Sequence, residues 1–600
     1  MSESPLEFCE HGGGQRSGSR NEQAGCAAYP MGDILAQERN ENINRFTQSA
    51  SGRYYPFPWL NARANLGFDY TLINTKSMIR RDQGPFPEIS RLGDITDTRT
   101  ENSQYTLDLG GTGTFTPVSA ITSKTSVGMQ YYRTYNDVSG ARGRTLTPGV
   151  TQVDAGAIQT ASAGTDLTIT MGTYAEQVFS FNDRMFLTGR VRYDGNSSFG
   201  KSFKGVLYPG VGLSWLLSDE SFFPHANWLN SFRFRATYGA SGVQPSTTAA
   251  ARFLSSVTAA VSSGVDQPGV QLGALGNPNL KPEYSGEFET GFDMSLFSSR
   301  TTFEFTYYNK KTKDAIISRP LAPSIAGITS FFDNLGSIRN QGMEVTFNNR
   351  LIDRREVGFD VQVTGSTNKN RILGLGEGVT PVFTGNRSTQ YNAPGYPLFG
   401  LWGKTITYND KNGDHYLAVN EVCQDVGGCR AADTAIYMGP SSPTMEFAVN
   451  PRIELFNRKL SISAQVDHKQ GNLKFNNTLR HQCQGGLSCE GFWNPAATLY
   501  SQARTIAVNN YSVYTGMYEN GRFTRLREVA LSYQMPDRLA AKIGATRATL
   551  VVAGRNLHVW TPYTGVDPET TVGNGDQRGN EEYFATPPLR YLTFRLNLGY

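Results

Sequence analysis

The sequence predicts an all-β protein, an antiparallel transmembrane β-barrel of the outer-membrane kind, partial, with roughly 16–18 strands. Three observations carry that reading. The composition is rich in aromatic and small residues, apolar and polar side chains alternate with period two in run after run, and the connections fall into a tight class and a long class.

The composition comes first. The 600 residues hold 56 basic and 52 acidic side chains, a net of +4, too weak a field to imply a nucleic-acid partner. Charged residues are 18% and hydrophobic ones 38%, while aromatics reach 12% beside 63 glycines. A chain poor in charge and aliphatics but rich in Tyr, Phe, Gly, Asn, Ser and Thr does not suit a helical or α/β enzyme. Its aromatics also argue against disorder. Mean hydropathy is −0.40, and no apolar run approaches the ~18 residues of a membrane helix.

The alternation then gives the strands. Ala62, Ala64, Leu66, Phe68, Tyr70 and Leu72 alternate with Asn61, Arg63, Asn65, Gly67, Asp69 and Thr71. Similar runs cover Met185–Tyr193, Phe232–Tyr238, Phe288–Leu296, Val357–Thr364 and Leu592–Tyr600. Strand candidates centre near residues 65, 107, 129, 175, 189, 211, 235, 290, 306, 346, 361, 403, 448, 464, 528, 551 and 595, the one near 403 being the least regular. Each run is ~10 residues long, the length that crosses a bilayer. Helical periodicity is nearly absent, with one short turn expected at Arg538–Ile543.

Connections follow. Phe297–Arg300 and Asp353–Arg355 read as tight turns, whereas 241–283, 314–339, 471–520 and 557–588 read as long loops. Asp194-Gly195 and Asn340-Gln341-Gly342 read as strand ends tolerant of positive φ. Trp59, Trp215, Trp228 and Trp560 sit near expected strand ends, where an interfacial girdle belongs, although each also suits plain packing. Soluble alternatives are a sandwich, a propeller or a β-helix. The last two call for an internal repeat, which is not seen, and a sandwich does not explain a polar face in strand after strand. A lipid-facing band opposite a polar lumen does.

Residues 1–50 are expected to lie outside the barrel and 51–600 within it. Met1–Gly32 shows no basic segment followed by an apolar one, so the start suits a cytoplasmic chain or one whose true beginning is missing. Cysteine usage points to an oxidising compartment. Cys423/Cys429 and Cys483/Cys489 form two C-x5-C pairs in Gly-rich contexts and suit local disulfides. Free surface thiols or a four-cysteine zinc site are the alternatives, the latter disfavoured by the spacing. No Ser/His/Asp set, phosphate loop or HExxH is present, so no catalytic residues are expected and the chain is not read as an enzyme. Asp410, Asn412, Asp414, Tyr416 and Glu421 match a calcium loop except that His415 replaces the turn glycine, and an ordinary Asn-Gly hairpin is the alternative. Calcium is the one cofactor so indicated.

Specific segments go further. RVRYDGNSSFGKSFKGVLYPGVGLSWLLSDESFF (190–223), GNPNLKPE (276–283), YYNKKTKDAI (307–316), NLGSIRNQGMEVTFN (334–348), GRFTRLREVALSYQMP (521–536) and GRNLHVWTPYTGVDPE (554–569) occur in the order seen in SusC/RagA-type TonB-dependent outer-membrane transporters. The chain resembles the barrel of that family from about residue 50 to 600. Tyr600, where the family usually ends in Phe, resembles its carboxy-terminal signal for the barrel-assembly machinery. The resemblance implies a twenty-two-stranded barrel around a plug, and an importer of glycans, peptides or similar nutrients. It also implies a SusD-like surface lipoprotein partner, and TonB contact through the plug. An Asp/Asn-rich segment near 410 is common in the family. Signal peptide and plug are not found in residues 1–50, so the chain reads as a carboxy-terminal portion with a free sheet edge at Tyr591–Tyr600 and no active import of its own. The other readings are an energy-independent porin or adhesin barrel, and a soluble binding module.

Overall fold

The computed structural model describes residues 37–600 except 83–91, 203, 225, 248, 260–266, 321–329, 377–378, 380, 385–389, 424–434, 485–487, 572–580, 584 and 586. Seventeen strands among the described residues belong to one large sheet. The chain clusters into two compact units, Met1–Leu213 with Tyr238–Gly286 and Thr312–Gly336, and Ser214–Thr237 with Glu287–Lys311 and Ser337–Tyr600.

The first unit is built of successive antiparallel hairpins. Its strands are β1 (Gln37–Phe57), β2 (Leu60–Ile79), β3 (Asp94–Val118), β4 (Ile121–Leu146), β5 (Gly156–Phe181), β6 (Met185–Asn196) and most of β7 (Val206–Leu216). Residues of β8 (Leu229–Val243) fall in both units. A separate hairpin, β9 (Phe253–Ala259) with β10 (Gln267–Ala274), lies within the connection expected as a long loop. Residues of β11 (Glu283–Leu296), β12 (Thr301–Pro320) and β13 (Ser330–Asp353) also divide between the units.

The second unit continues the pattern with β14 (Gly358–Gly374). A small sheet follows, of β15 (Val382–Thr384), β16 (Gln390–Asn392), β17 (Leu401–Gly403) and β18 (Ile436–Gly439). Then come β19 (Met445–Leu455), β20 (Leu460–Gln470), the short β21 (Leu473–Asn476) and β22 (Tyr518–Asn520), β23 (Phe523–Gln534) and β24 (Arg547–Trp560). The two-residue β25 (Glu581–Glu582) pairs parallel to β21, and β26 (Tyr591–Gly599) ends the chain against β24. Four α-helices occur among the described residues: α1 (Asn477–Gln484), α2 (Glu490–Trp493), α3 (Leu499–Asn510) and α4 (Asp537–Lys542).

Five features depart from the sequence reading. First, β1 begins at Gln37, inside the segment expected outside the barrel. Its residues alternate poorly because Asn, Arg, Gln and Ser fill much of both faces, and the ladder to β2 holds it instead. Second, β3, β4 and β5 run for 25, 26 and 26 residues. Alternation marks only the stretch with an apolar face, and each strand continues beyond it as polar ribbon tied by backbone bonds, for example Asp94–Ser103 on Tyr135–Arg144. At that end Met78, Ile95 and Leu146 are buried with Val153 against them, a small core under the connections. Third, the candidate near 403 is the three-residue β17 of the small sheet. Trp402 gathers Tyr391, Tyr396 and Tyr437 around itself at 4.7–5.6 Å between ring centres, so the apolar signal there is local packing.

Fourth, Asp194-Gly195 does close β6 as expected, but Gly342 lies inside β13, and neither glycine has positive φ. A Cβ on Gly342 would stand 1.9 Å from the Thr367 carbonyl oxygen and 2.6 Å from Tyr308 Oη, so close approach is what requires glycine there. Fifth, helices occupy part of the loop expected at 471–520, while the turn expected at Arg538–Ile543 is α4. Tight turns do occur where expected. Phe297, Ser298 and Ser299 all have φ between 54 and 61°, turning β11 into β12, and Arg354 N–H bonds the Val357 carbonyl at 2.9 Å between β13 and β14.

Within the large sheet β1 pairs antiparallel with β2 along nearly its whole length, and β26 pairs with β24 from Arg547–Gly599 to Arg555–Tyr591.

Candidate functional site: a two-faced sheet and its loop layer

In the first unit the registers sort the side chains of β1–β6 into two faces. Phe68 pairs with Tyr105, Leu66 with Leu107, and Ala64 with Leu109, which in turn faces Met129. This face is apolar yet uncovered: Leu66 is 56% exposed, Phe46 55% and Val127 54%. Phe46, Phe68, Tyr70 and Tyr105 stack along it at 4.8–6.5 Å. A continuous exposed apolar band of this kind needs an apolar surrounding. Trp59, Phe57 and Phe115 cluster at its turn end, with ring centres 5.0 and 5.5 Å apart, in the position of an interfacial girdle.

The opposite face is polar and bonded to itself. Asp108 lies 3.5 Å from Arg63 Nε and accepts from Gln130 Nε2 at 2.7 Å. Arg192 donates to Gln130 at 2.5 Å and to Asp194 at 2.9 Å, and Arg63 donates to Tyr174 Oη at 2.9 Å. Charges so arranged belong to a wall that meets water.

The motif at 276–283 is a knot beside these strands. Asn277 is buried, donates to the Phe332 carbonyl at 3.0 Å and accepts from Asn279 N–H at 3.0 Å. Asn334 accepts from Lys281 N–H and donates to the Lys281 and Asp314 carbonyls, all within 2.8–2.9 Å. Leu280 is fully buried and its carbonyl accepts from Gly200 N–H at 2.8 Å. Four segments singled out from sequence thus meet: 190–223, 276–283, 307–316 and 334–348.

In the second unit the long connections fold into a layer of their own. Thr498 caps α3 by accepting from Ser501 N–H at 3.2 Å. Leu499, Ala503, Ile506 and Ala507 form its apolar stripe, with Leu417, Val422 and Val513 against it. That spacing, behind a Thr cap, is the sequence signal that would have revealed the helix. Cys483 and Cys489 are joined, Cα atoms 4.8 Å apart, and pack with Phe475, Val508 and Met517. Cys423 is disulfide-bonded as well. Its expected partner Cys429 lies outside the described residues.

The expected calcium ligands hold their own turn. Asp410 accepts from Gly413 and His415 N–H at 2.8 and 3.0 Å, and Asp414 accepts from Tyr416 N–H at 2.8 Å and from the Asn412 amide at 2.8 Å. Glu421 is buried and caps Lys411 and Ala418 N–H at 3.1 and 2.9 Å. Among the described residues no three His, Cys, Asp or Glu side chains are grouped closely enough to hold a metal, so Asp410, Asp414 and Glu421 do not converge on one point.

Within this layer Lys474 is fully buried. Its ammonium donates to the carbonyls of Asp567 at 3.2 Å, Pro568 at 3.0 Å and Thr570, and lies 5.3 Å from the Tyr563 ring centre. Burial pushes its pKa down to about 8, against the pull of Glu582, Asp567 and Glu569. Tyr563 donates to Glu582 at 2.7 Å, and burial with that bond raises its pKa well above the ordinary value. Arg525 forks onto both oxygens of Asp567 at 2.6 and 2.8 Å. Arg525, Tyr563 and Asp567 lie in the segments 521–536 and 554–569 singled out from sequence, but nothing in the sequence joins them to Lys474 and Glu582, which no motif marks.

Long hairpins with one lipid-suited and one water-suited face, and long connections folded into a layer of their own, are the marks of an integral outer-membrane β-barrel protein. The comparisons narrow the class. Residues 13–557 match the family model described as TonB dependent receptor-like, beta-barrel, and the chain belongs to that family, whose place is the outer membrane. It is 29% identical over 454 residues to TonB-dependent receptor P3 of Formosa agariphila, covering 70% of this chain and 44% of that one. It is 23% identical to TonB-dependent receptor SusC of Bacteroides thetaiotaomicron over 443 residues, 70% of this chain and 42% of that one. The chain thus spans less than half the length of these relatives. The solved structure of the RagAB peptide transporter superposes with a TM-score of 0.80 at 19% identity, over 94% of this chain and 63% of its own, a likeness of fold.

Proposed function

We propose that the chain supplies the barrel wall and outer loop layer of a nutrient importer of the SusC/RagA type, one that takes up glycans, peptides or similar solutes. The observation that carries the reading is the polar face of β1–β6, where Arg63, Asp108, Gln130, Arg192 and Asp194 form one hydrogen-bonded wall opposite the exposed apolar band. A wall of that kind suits a wet conduit through lipid, and family membership suits a TonB-energised one. The loop layer with its disulfides is the surface that a SusD-like lipoprotein would cover, and TonB would act through a plug. Tyr600 and the alternating β26 suit recognition by the barrel-assembly machinery. No catalytic role is proposed.

Uptake of a defined oligosaccharide or peptide by the producing bacterium, with and without the gene and with and without an uncoupler, tests this. Gene-dependent uptake that collapses with the uncoupler is the expected result. Gene-dependent uptake indifferent to the uncoupler would make the protein a porin, and an unchanged uptake pattern with lost surface attachment would make it an adhesin.

A further inference from the structure

The short helix α4, between β23 and β24 in the second unit, is packed inside out. It meets β24 through small side chains, Ala540, Ala545 and Ala548 all being buried, and Met535 N–H bonds the Ala548 carbonyl at 2.9 Å. Its large apolar residues stay outside: Leu539 and Ile543, four apart, are each 49% exposed. Arg538 and Lys542, also four apart and exposed, run beside them. A helix packed only against its own protein turns Leu and Ile inward. The side of the sheet on which α4 folds explains the inversion. Ala548 pairs with Leu598, Leu550 with Leu596 and Val552 with Phe594, and Phe594 is 72% exposed. By period two, Ala548 therefore shares the face that carries an exposed apolar band. α4 lies at the turn-end border of that band.

The adjacent turn has the same chemistry. β19 passes into β20 through Phe456, Asn457 and Arg458, with φ between 53 and 66°, and Lys459 N–H closes the turn on the Phe456 carbonyl at 3.2 Å. Left-handed backbone is unfavourable for an aromatic residue, yet here it holds Phe456 69% exposed. The Lys459 carbonyl accepts from Gln534 N–H at 2.7 Å, two residues before the Pro536 that precedes α4, so turn and helix are neighbours. Arg458 is committed to Asp353 at 2.7 Å and to Glu454 at 3.7 Å. Among the described residues Lys459, Arg538 and Lys542 have no acidic partner, and Asp537 is the one acid of α4.

We propose that α4 and the β19–β20 turn form a binding site for anionic phospholipid. Phe456, Leu539 and Ile543 enter the acyl boundary, while Lys459, Arg538 and Lys542 take the headgroup phosphates. Continuity and charge favour lipid over another protein. The apolar side chains extend the exposed band, and the cations stand beside them at the border where headgroups lie. The site requires a membrane around the sheet and is independent of what the protein imports.

The test offers the whole chain, in detergent micelles, equal amounts of phosphatidylglycerol and phosphatidylcholine with matched acyl chains, and reads bound lipid by native mass spectrometry. Phosphatidylglycerol is expected to be retained in preference, and Lys459→Gln, Arg538→Gln and Lys542→Gln together to cut that retention at least about fivefold. A control with Lys201→Gln, Lys311→Gln and Lys313→Gln removes as much charge elsewhere and is expected to leave it unchanged. All six side chains are exposed, and heat-modifiable gel mobility verifies that both variants fold. Independently, Ile543→Cys carrying an environment-sensitive fluorophore, in vesicles of the two lipids, is expected to emit as at the acyl boundary and to be quenched by lipid nitroxides near the headgroup. Equal retention by the two variants, no preference for phosphatidylglycerol, or a fluorophore that emits as in water would each overturn the proposal. An emission shift that appears only as chain concentration rises would overturn it too, by assigning the face to a second copy.

Discussion

Lys474 is the residue on which the outer layer turns, because three carbonyls from 567–570 converge on one ammonium. Lys474→Met keeps the stem and removes the donors, and is expected to loosen the layer by about 2–3 kcal/mol, read as faster proteolysis within 561–590. Its pH dependence has a definite sign. The folded pKa of about 8 lies below that of an exposed lysine, so between about pH 8 and 10 the unfolded chain binds more protons and stability rises with pH. Above that, Tyr563 and Tyr518, both held protonated by burial, reverse the trend. Denaturant midpoints across pH 7–10 should rise for the wild type and stay flat for Lys474→Met. A matching slope in both proteins would remove Lys474 as its source. At the Asp410 turn, Asp410→Ala is expected to cost about 1–2 kcal/mol through two lost backbone bonds, with or without 1 mM calcium. A calcium-induced rise in the wild-type midpoint, absent in the variant, would instead restore the ion-binding reading.

At the scale of elements, the knot and the helical layer are separately testable. Asn334→Ala strands one N–H and two carbonyls beside a buried Leu280, and is expected to cost at least about 2 kcal/mol in denaturant melts. Replacing Cys483 and Cys489 by Ser together should lower the layer's stability by about 2 kcal/mol, seen as new cleavage between 471 and 520 while the large sheet stays intact. The same elements show where sequence was informative. Strands such as β2 and β6 were legible because lipid and water impose period two on Ala62–Leu72 and Leu187–Tyr193. The polar extensions of β3–β5 were not, since a ribbon wet on both faces needs only its ladder. The α3 stripe was readable but short, and Trp402 imitated a barrel strand because a local aromatic cluster and a lipid face ask for the same residues. The Cys483–Cys489 pair was visible in its spacing, whereas the Lys474 group, assembled by topology alone, was not.

At the scale of the whole molecule, the account stands on the claim that one face of the sheet meets lipid and the other water. Single cysteines placed along β2 in reconstituted membranes measure this most directly, by comparing accessibility to a membrane-impermeant maleimide with that to a lipid-phase probe. Positions 65, 67 and 69 are expected to react from water, and positions 66, 68 and 70 from lipid, in strict alternation. Equal aqueous labelling at both sets of positions would contradict it, and the sheet would then belong to a soluble protein.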